Sequence, residues 1–163
     1  LPVTMSHASS SVRYGDAFVI SGHGRAMLTR SGSDATRSAE RSAEEAAVLF
    51  IVPALAQRSI GEIVRLDEPC YVRSYVDGKY LERTRLLRFD RDHGVGRFAL
   101  GFTSSPTQLA SFTRCNPGEA GSAFSFGEGV GLSFAGMLPG NERLSDPRTC
   151  SRRLVTLREK DQP

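Results

Sequence analysis

The sequence predicts an all-β chain assembled from a repeated strand unit, and three observations carry that reading. Short apolar segments alternate with polar residues at period two. Turn-forming Gly, Pro, Asn, Asp and Ser break them about every 8–15 residues. A pattern of an apolar or aromatic residue, glycine and an acid, followed by alternating apolar positions, occurs three times.

Residues 1–10 are Ser-rich without periodicity and read as a loose lead-in to one domain spanning 11–160. SVRYGDAFVIS (11–21) reads as a strand ending at Gly22-His23-Gly24, and RAMLTR (25–30) as a second. Residues 31–47 carry small, polar and charged side chains, with Ala39, Ala43, Ala46 and Ala47 at helical spacing. Ser42 and Glu45 fit a capping box, so this stretch is expected to be a small helical insertion. VLFIVPAL (48–55) is an apolar strand stopped by proline. IGEIVRLDEP (60–69) and CYVRSYV (70–76) alternate again, and Asp77-Gly78 predicts a tight hairpin into KYLER. RLLRFDRD (85–92) and GRFALGFTS (96–104) follow as strands, and 104–122 reads as a loop. SAFSFGEGVGLSFAGML (122–138) is β-like, PGNERLSDPR (139–148) is a turn region, and RRLVTLRE (152–159) is a last strand.

The repeat is carried by YGDAFVI (14–20), IGEIVRL (60–66) and FGEGVGL (126–132), giving units that start near 13, 59 and 125. Gly15, Gly61 and Gly127 supply positive φ for a tight turn. Asp16, Glu62 and Glu128 can fix that turn by accepting from nearby amides. The apolar pair after each acid is expected to enter the core. In the third copy, Val130 and Leu132 are the core positions, and Gly129 and Gly131 are expected on the outward face. VLFIVPA and RFALGFT are expected as closing strands of the first two units, while the third lacks one.

Three copies of a four-strand unit describe a β-trefoil, a barrel with pseudo-threefold symmetry, whose closure leaves no sheet edge. A β-sandwich is the alternative. VRYGDAFVIS and SIGEIVRL, each followed by an -ML- or -YL- strand, resemble the repeats of MIR-type β-trefoils. Such domains occur in protein O-mannosyltransferases and at the N-termini of inositol trisphosphate and ryanodine receptors; related trefoils occur in cilium-associated proteins. The resemblance covers 11–104 and extends poorly over 122–158. It implies a fold used for recognition. Ricin-type lectins repeat Gln-x-Trp, and this chain contains no Trp. DGKYLE (77–82) resembles a turn of the actin-binding fascin-like trefoils, once only.

The chemistry-bearing residues form no catalytic pattern. GEGVG (127–131) lacks the Lys-Ser/Thr end of a phosphate loop and no helix-forming segment follows. His7, His23 and His93 have no metal-ligand spacing, and no nucleophile elbow occurs. Cys70, Cys115 and Cys150 are sparse, odd in number and without C-x-x-C spacing, which argues against a disulfide framework or structural zinc and for a reducing compartment. One disulfide between two of them stays open. The chain begins Leu1-Pro2 without Met, so a processed piece is expected and secretion stays an alternative to the cytoplasm. No apolar run approaches the ~20 residues that span a bilayer. No enzyme activity and no cofactor or metal is expected.

Net charge is +3, carried by 19 arginines and two lysines. Arg83, Arg85, Arg88 and Arg91 lie beside Glu82, Asp90 and Asp92, which nearly cancel them. Arg143, Arg148, Arg152, Arg153 and Arg158 form the candidate surface for an anionic partner. No aromatics are interleaved there, which argues against single-stranded nucleic acid. The expected function is a non-catalytic scaffold module binding a protein partner, in a cytoskeletal or ciliary assembly. The alternative is a small-ligand module for an inositol phosphate or glycan.

Overall fold

The computed structural model describes residues 10–22, 27–38, 46–90, 95–113, 121–134 and 153–160. It contains ten strands: β1 (Phe18–Ser21), β2 (Met27–Ser31), β3 (Asp34–Ser38), β4 (Leu49–Pro53), β5 (Cys70–Ser74), β6 (Tyr80–Asp90), β7 (Val95–Thr103), β8 (Ala110–Thr113), β9 (Gly129–Phe134) and β10 (Arg153–Glu159). All pair antiparallel in one sheet, and no helix occurs among the described residues. A two-sheet sandwich is therefore not what these strands form.

The helical insertion expected over 31–47 is corrected over its first half. Asp34–Ser38 is strand β3, paired in register with β2 from Met27↔Ser38 to Ser31↔Asp34. Gly32 turns the hairpin at φ 61°, a conformation glycine adopts without steric cost. Asp34–Ser38 is a strand because β2 lies alongside it as a hairpin partner, while Ala39 and Ala43 of the helical spacing lie outside the described residues. Ser42 and Glu45, the expected capping box, lie outside the described residues.

Six strands close on themselves in the order β1-β4-β5-β8-β9-β10-β1. The closing pair runs from Phe18↔Glu159 to Ser21↔Thr156. β2–β3 and β6–β7 are hairpins outside this ring. Three strand assignments change accordingly. RFALGFT belongs to hairpin strand β7, and ASFT within the expected loop 104–122 is ring strand β8. RRLVTLRE supplies β10, the closing strand that the third unit was expected to lack.

The core follows from alternation. One cluster gathers buried side chains from every ring strand: Phe18 and Ile20, Leu49 and Ile51, Cys70 and Val72, Phe112, Val130 and Leu132, Val155 and Leu157. Burying each such Leu, Ile or Phe contributes about 1.5–3 kcal/mol. Gly129 is exposed, but Gly131 is buried. It pairs Thr113 of β8 and Leu154 of β10, so β9 has no free edge there.

Beneath the ring three segments interlock cyclically. Tyr14 donates its amide to the Glu62 carbonyl, Leu66 to Ser122, and Phe126 to Ser10, at 2.9, 2.8 and 3.2 Å. Each is followed by a residue with positive φ: Gly15 at 94°, Asp67 at 64°, Gly127 at 86°. These three donate in turn to Ile51, Phe112 and Leu157 on β4, β8 and β10, at 2.9, 2.7 and 2.8 Å. The middle member of this set is Asp67, not Gly61. The repeat drawn through Gly61-Glu62 is thus six residues early relative to the hydrogen bonds. Asp67 hid the true copy because aspartate tolerates the left-handed region, so no glycine marks it.

Candidate interaction surface

Gly15-Asp16, Gly61-Glu62 and Gly127-Glu128 all form turns, and they share one construction. The amides of Asp16, Glu62 and Glu128 donate to the carbonyls of Arg13, Ser59 and Ser125 at 3.1–3.2 Å. Glycine with φ between 86° and 95° stands third in each turn, as a type II turn requires. The acid side chains accept from the amides of Arg13, Ser59 and Ser125. These acids are consumed in holding backbone. Arg13 and Arg65 donate to the carbonyls of Gly61 and Gly121 at 3.0 and 3.2 Å, so they too are structural.

The expected anionic-partner arginines are only partly described. Arg143, Arg148 and Arg152 lie outside the described residues. Arg153 opens β10, in register with Leu132 of β9, and Arg158 lies near its end. Arg158 is exposed and donates to the Ser21 hydroxyl at 3.4 Å. His7, His23, His93, Cys115 and Cys150 also lie outside the described residues.

A different surface is assembled by β4, β5 and β6. In β5, Cys70, Val72 and Ser74 turn inward, leaving Tyr71 and Arg73 outward. In β4, Leu49 and Ile51 are buried and Phe50 and Val52 half-buried. The register sets Phe50 beside Arg73, and Arg73 beside Tyr80. The Arg73 guanidinium lies 4.6 Å from the Tyr80 ring centroid and 5.8 Å from that of Phe50. Its Nε donates to the Gly78 carbonyl at 2.9 Å, which fixes it. Tyr71 meets Tyr80 edge-on at 5.6 Å, and Tyr75 tilts against Phe50 at 4.8 Å. The Tyr75 hydroxyl donates to the Gly15 carbonyl at 3.3 Å. Each cation–π contact of this kind is worth about 0.5–1 kcal/mol at an exposed site.

The hairpin tip beside this patch is clamped. Gly78 has φ 74°, and a Cβ there would stand 2.9 Å from Arg73 Nη2. The positive φ is what calls for glycine, since the tip of the Arg73 side chain could shift away from a Cβ. Arg30 grips Asp77 with two bonds of 3.0 and 2.7 Å, and also donates to Ser74 Oγ and the Gly32 carbonyl. The Arg30 guanidinium stacks 4.4 Å from the Phe102 centroid. The Arg30 bond, with the Lys79 amide second, holds the Asp77 carboxyl down to about 2 from an ordinary 3.8. A depressed carboxyl stabilises the fold above its unfolded pKa, and the effect fades as pH falls through the folded value. The stability difference between the wild type and Asp77→Asn is therefore expected to shrink between pH 4 and pH 2. Urea midpoints measured across that window check it; a constant difference would contradict the pairing.

Two buried groups, Cys70 and Tyr14, are strongly shifted in their acidity. Burial, aided by Glu68, pushes the Cys70 thiol far up, and Cys70 Sγ donates to the Ala110 carbonyl at 3.4 Å. Burial likewise raises Tyr14, with Cys70 and Glu68 adding to the effect. Glu68 lies near, yet among the described residues no partner is within hydrogen-bonding geometry of the Tyr14 hydroxyl. Glu68 is instead held by Arg58 at 2.6 and 3.4 Å. Among the described residues, no three His, Cys, Asp or Glu side chains are grouped to hold a metal ion. No described helix is long and apolar enough to cross a membrane.

The aromatic patch was not singled out from sequence, although its signal is there. Tyr71, Arg73 and Tyr75 are alternate residues of CYVRSYV, and Tyr80 follows across the Asp77-Gly78 turn. No protein family's sequence profile matches the chain, and a search of curated proteins returns no match.

Proposed function

We propose that the chain is a non-catalytic binding module of β-trefoil architecture, and that its Phe50–Arg73–Tyr80 face docks a protein partner. The closed six-strand ring and the cyclic bonding of the segments beneath it support the trefoil reading. The resemblance of VRYGDAFVIS to MIR-type repeats agrees with it. The carrying observation for function is the patch itself. Tyrosine and arginine dominate binding hot spots because they offer large, rigid contact area with polar ends. Here three tyrosines, a phenylalanine and a fixed arginine share one outward face. Val76, 83% exposed at the adjoining hairpin tip, extends it. A cytoplasmic scaffold, cytoskeletal or ciliary, is the setting the resemblance favours.

The test is affinity capture with the wild type and with the Tyr71→Ser/Tyr80→Ser double variant. A partner that docks on this face should bind the variant at least about 30-fold more weakly, the loss expected from a hot spot of about 2 kcal/mol. Unchanged capture by a folded variant refutes the assignment. Inositol hexakisphosphate and a glycan panel are titrated in parallel; binding there that is lost in the variant would favour the small-ligand reading instead.

A further inference from the structure

The aromatic face is built around one fixed charge. Its contacts run in a row, Tyr71–Tyr80–Arg73–Phe50–Tyr75, at 5.6, 4.6, 5.8 and 4.8 Å. Arg73 stands at the centre, and Tyr80 and Phe50 reach it from the strands on either side of β5. Its Nε is spent on the Gly78 carbonyl. The hairpin's own acid, Asp77, is gripped instead by Arg30 through two bonds. Among the described residues no carboxylate pairs with Arg73. A half-buried guanidinium, held between rings with its charge uncompensated, favours an anion brought to it. Its planar fork suits a carboxylate, which can take two bonds at once.

A second observation extends the row past Tyr75 with apolar surface. The Tyr75 hydroxyl donates to the Gly15 carbonyl, and Ile60 lies over Gly15, where a Cβ would stand 2.8 Å from Ile60 Cγ2. Ile60 is 62% exposed, and Val76, next to Tyr75 in sequence, is 83% exposed. These are two of the three large apolar side chains exposed among the described residues, and exposed apolar groups gathered on one patch mark contact sites. The face therefore has a charged centre and an apolar end. The steps from Arg73 to Phe50 and on to Tyr75 are 5.8 and 4.8 Å, a reach of about three residues of extended chain. A free inositol phosphate offers nothing apolar to match Ile60 and Val76. An acidic residue with a large apolar neighbour engages both parts.

We propose that this face recognises a partner segment in which an aspartate or glutamate lies within about three residues of a large apolar side chain. The carboxylate seats on the Arg73 guanidinium, and the apolar side chain packs at the Phe50–Tyr75–Ile60 end. This assignment rests on the face being the docking surface proposed above, and adds what selects its occupant. The apolar end supplies contact area, and Arg73 supplies the sign of charge that discriminates between partners. Lysine is a poor substitute there, because an ammonium lacks the planar fork that stacks and bonds in pairs.

The test selects phage-displayed random dodecapeptides on the wild type and measures the enriched peptides by fluorescence anisotropy. They are expected to carry an Asp or Glu close to a large apolar residue. Replacing that acid by its amide, and Arg73→Gln in the protein, should each weaken binding about tenfold or more. The two losses should not add, which marks a direct pair. Arg73→Lys should bind about threefold or more weaker than the wild type. Selection on Arg73→Glu should return peptides carrying Lys or Arg, a new preference that a misfolded protein cannot show. Peptides that require Tyr71 and Tyr80 but carry no acid, or whose acid does not couple to Arg73, overturn this inference and leave the docking face standing. Peptides indifferent to Tyr71→Ser/Tyr80→Ser, or no enrichment at all, overturn both. Binding that rises about tenfold or more when phosphotyrosine replaces the acid overturns it in favour of a phosphorylated partner.

Discussion

Phe112→Ala is expected to lower the free energy of unfolding by about 3–5 kcal/mol, the cost of removing a fully buried aromatic ring. That is about a fifth or more of the roughly 5–15 kcal/mol that holds a typical domain folded. Phe112 is wholly buried and packs against Phe124 with ring centroids 5.4 Å apart. Its carbonyl accepts from the Asp67 amide at 2.7 Å, so it joins β8 to the turn beneath the ring. The alanine variant keeps that backbone bond and leaves a cavity between the ring and the interlocked base. Phe112→Leu restores most of the volume and should cost about 1 kcal/mol. Urea denaturation of both variants checks the pair. A loss under 1 kcal/mol for alanine would mean that the core collapses readily around this site, contrary to its packing here.

Glu82→Ala is expected to cost about 2–4 kcal/mol, for a different reason. The carboxylate accepts from the Thr107 amide at 2.6 Å, the Thr107 hydroxyl at 2.9 Å and the Gln108 amide at 3.0 Å. Removing the acceptor leaves several part-buried donors unpaired, at about 1–3 kcal/mol each before the loop relaxes toward water. Gln108 also binds the backbone of Arg83 through both its side-chain atoms, at 3.1 and 2.8 Å. The loop before β8 is thus fastened to β6 by one glutamate and one glutamine. Hydrogen exchange gives the more specific readout. The amides of Thr107 and Gln108 should exchange much faster in Glu82→Ala, while those of β1 and β10 stay protected. Uniform acceleration everywhere would show instead that Glu82 acts on global stability alone.

Period-two alternation made the strands legible, and it worked best where burial alternates. CYVRSYV reads outward at Tyr71 and Arg73 and inward at Cys70 and Val72, as observed. Asp77-Gly78 marked its hairpin because glycine at positive φ is nearly obligatory there. The misreadings have physical causes. ASFT was lost in a stretch dense with Ser, Pro and Thr, since β8 owes its place to pairing with β9 and β5 rather than to its own propensity. The second repeat was misaligned because Asp67 occupies a left-handed position that glycine fills in the other two copies. TRS in β3 was taken for helix because small polar residues favour neither form strongly, and β2 decided. The aromatic face escaped notice because its members come from three strands separated by turns. Glu82 was counted as a surface counter-charge because nothing in LERTR announces that Thr107 and Gln108 will enclose it.

Ring closure also sets the order in which this chain can fold. Phe18 of β1 pairs with Glu159 of β10, so one edge of the first ring strand stays open until a segment far along the sequence has been made. Contacts of such long sequence separation slow folding, because loop-closure entropy is lost before the pairing rewards it. Until β10 arrives, the far edges of β1 and β9 are both open, and each carries apolar residues beside unpaired amides. A nascent chain in that state is the form most exposed to aggregation. The segment that completes the fold is therefore also the one that ends its vulnerability.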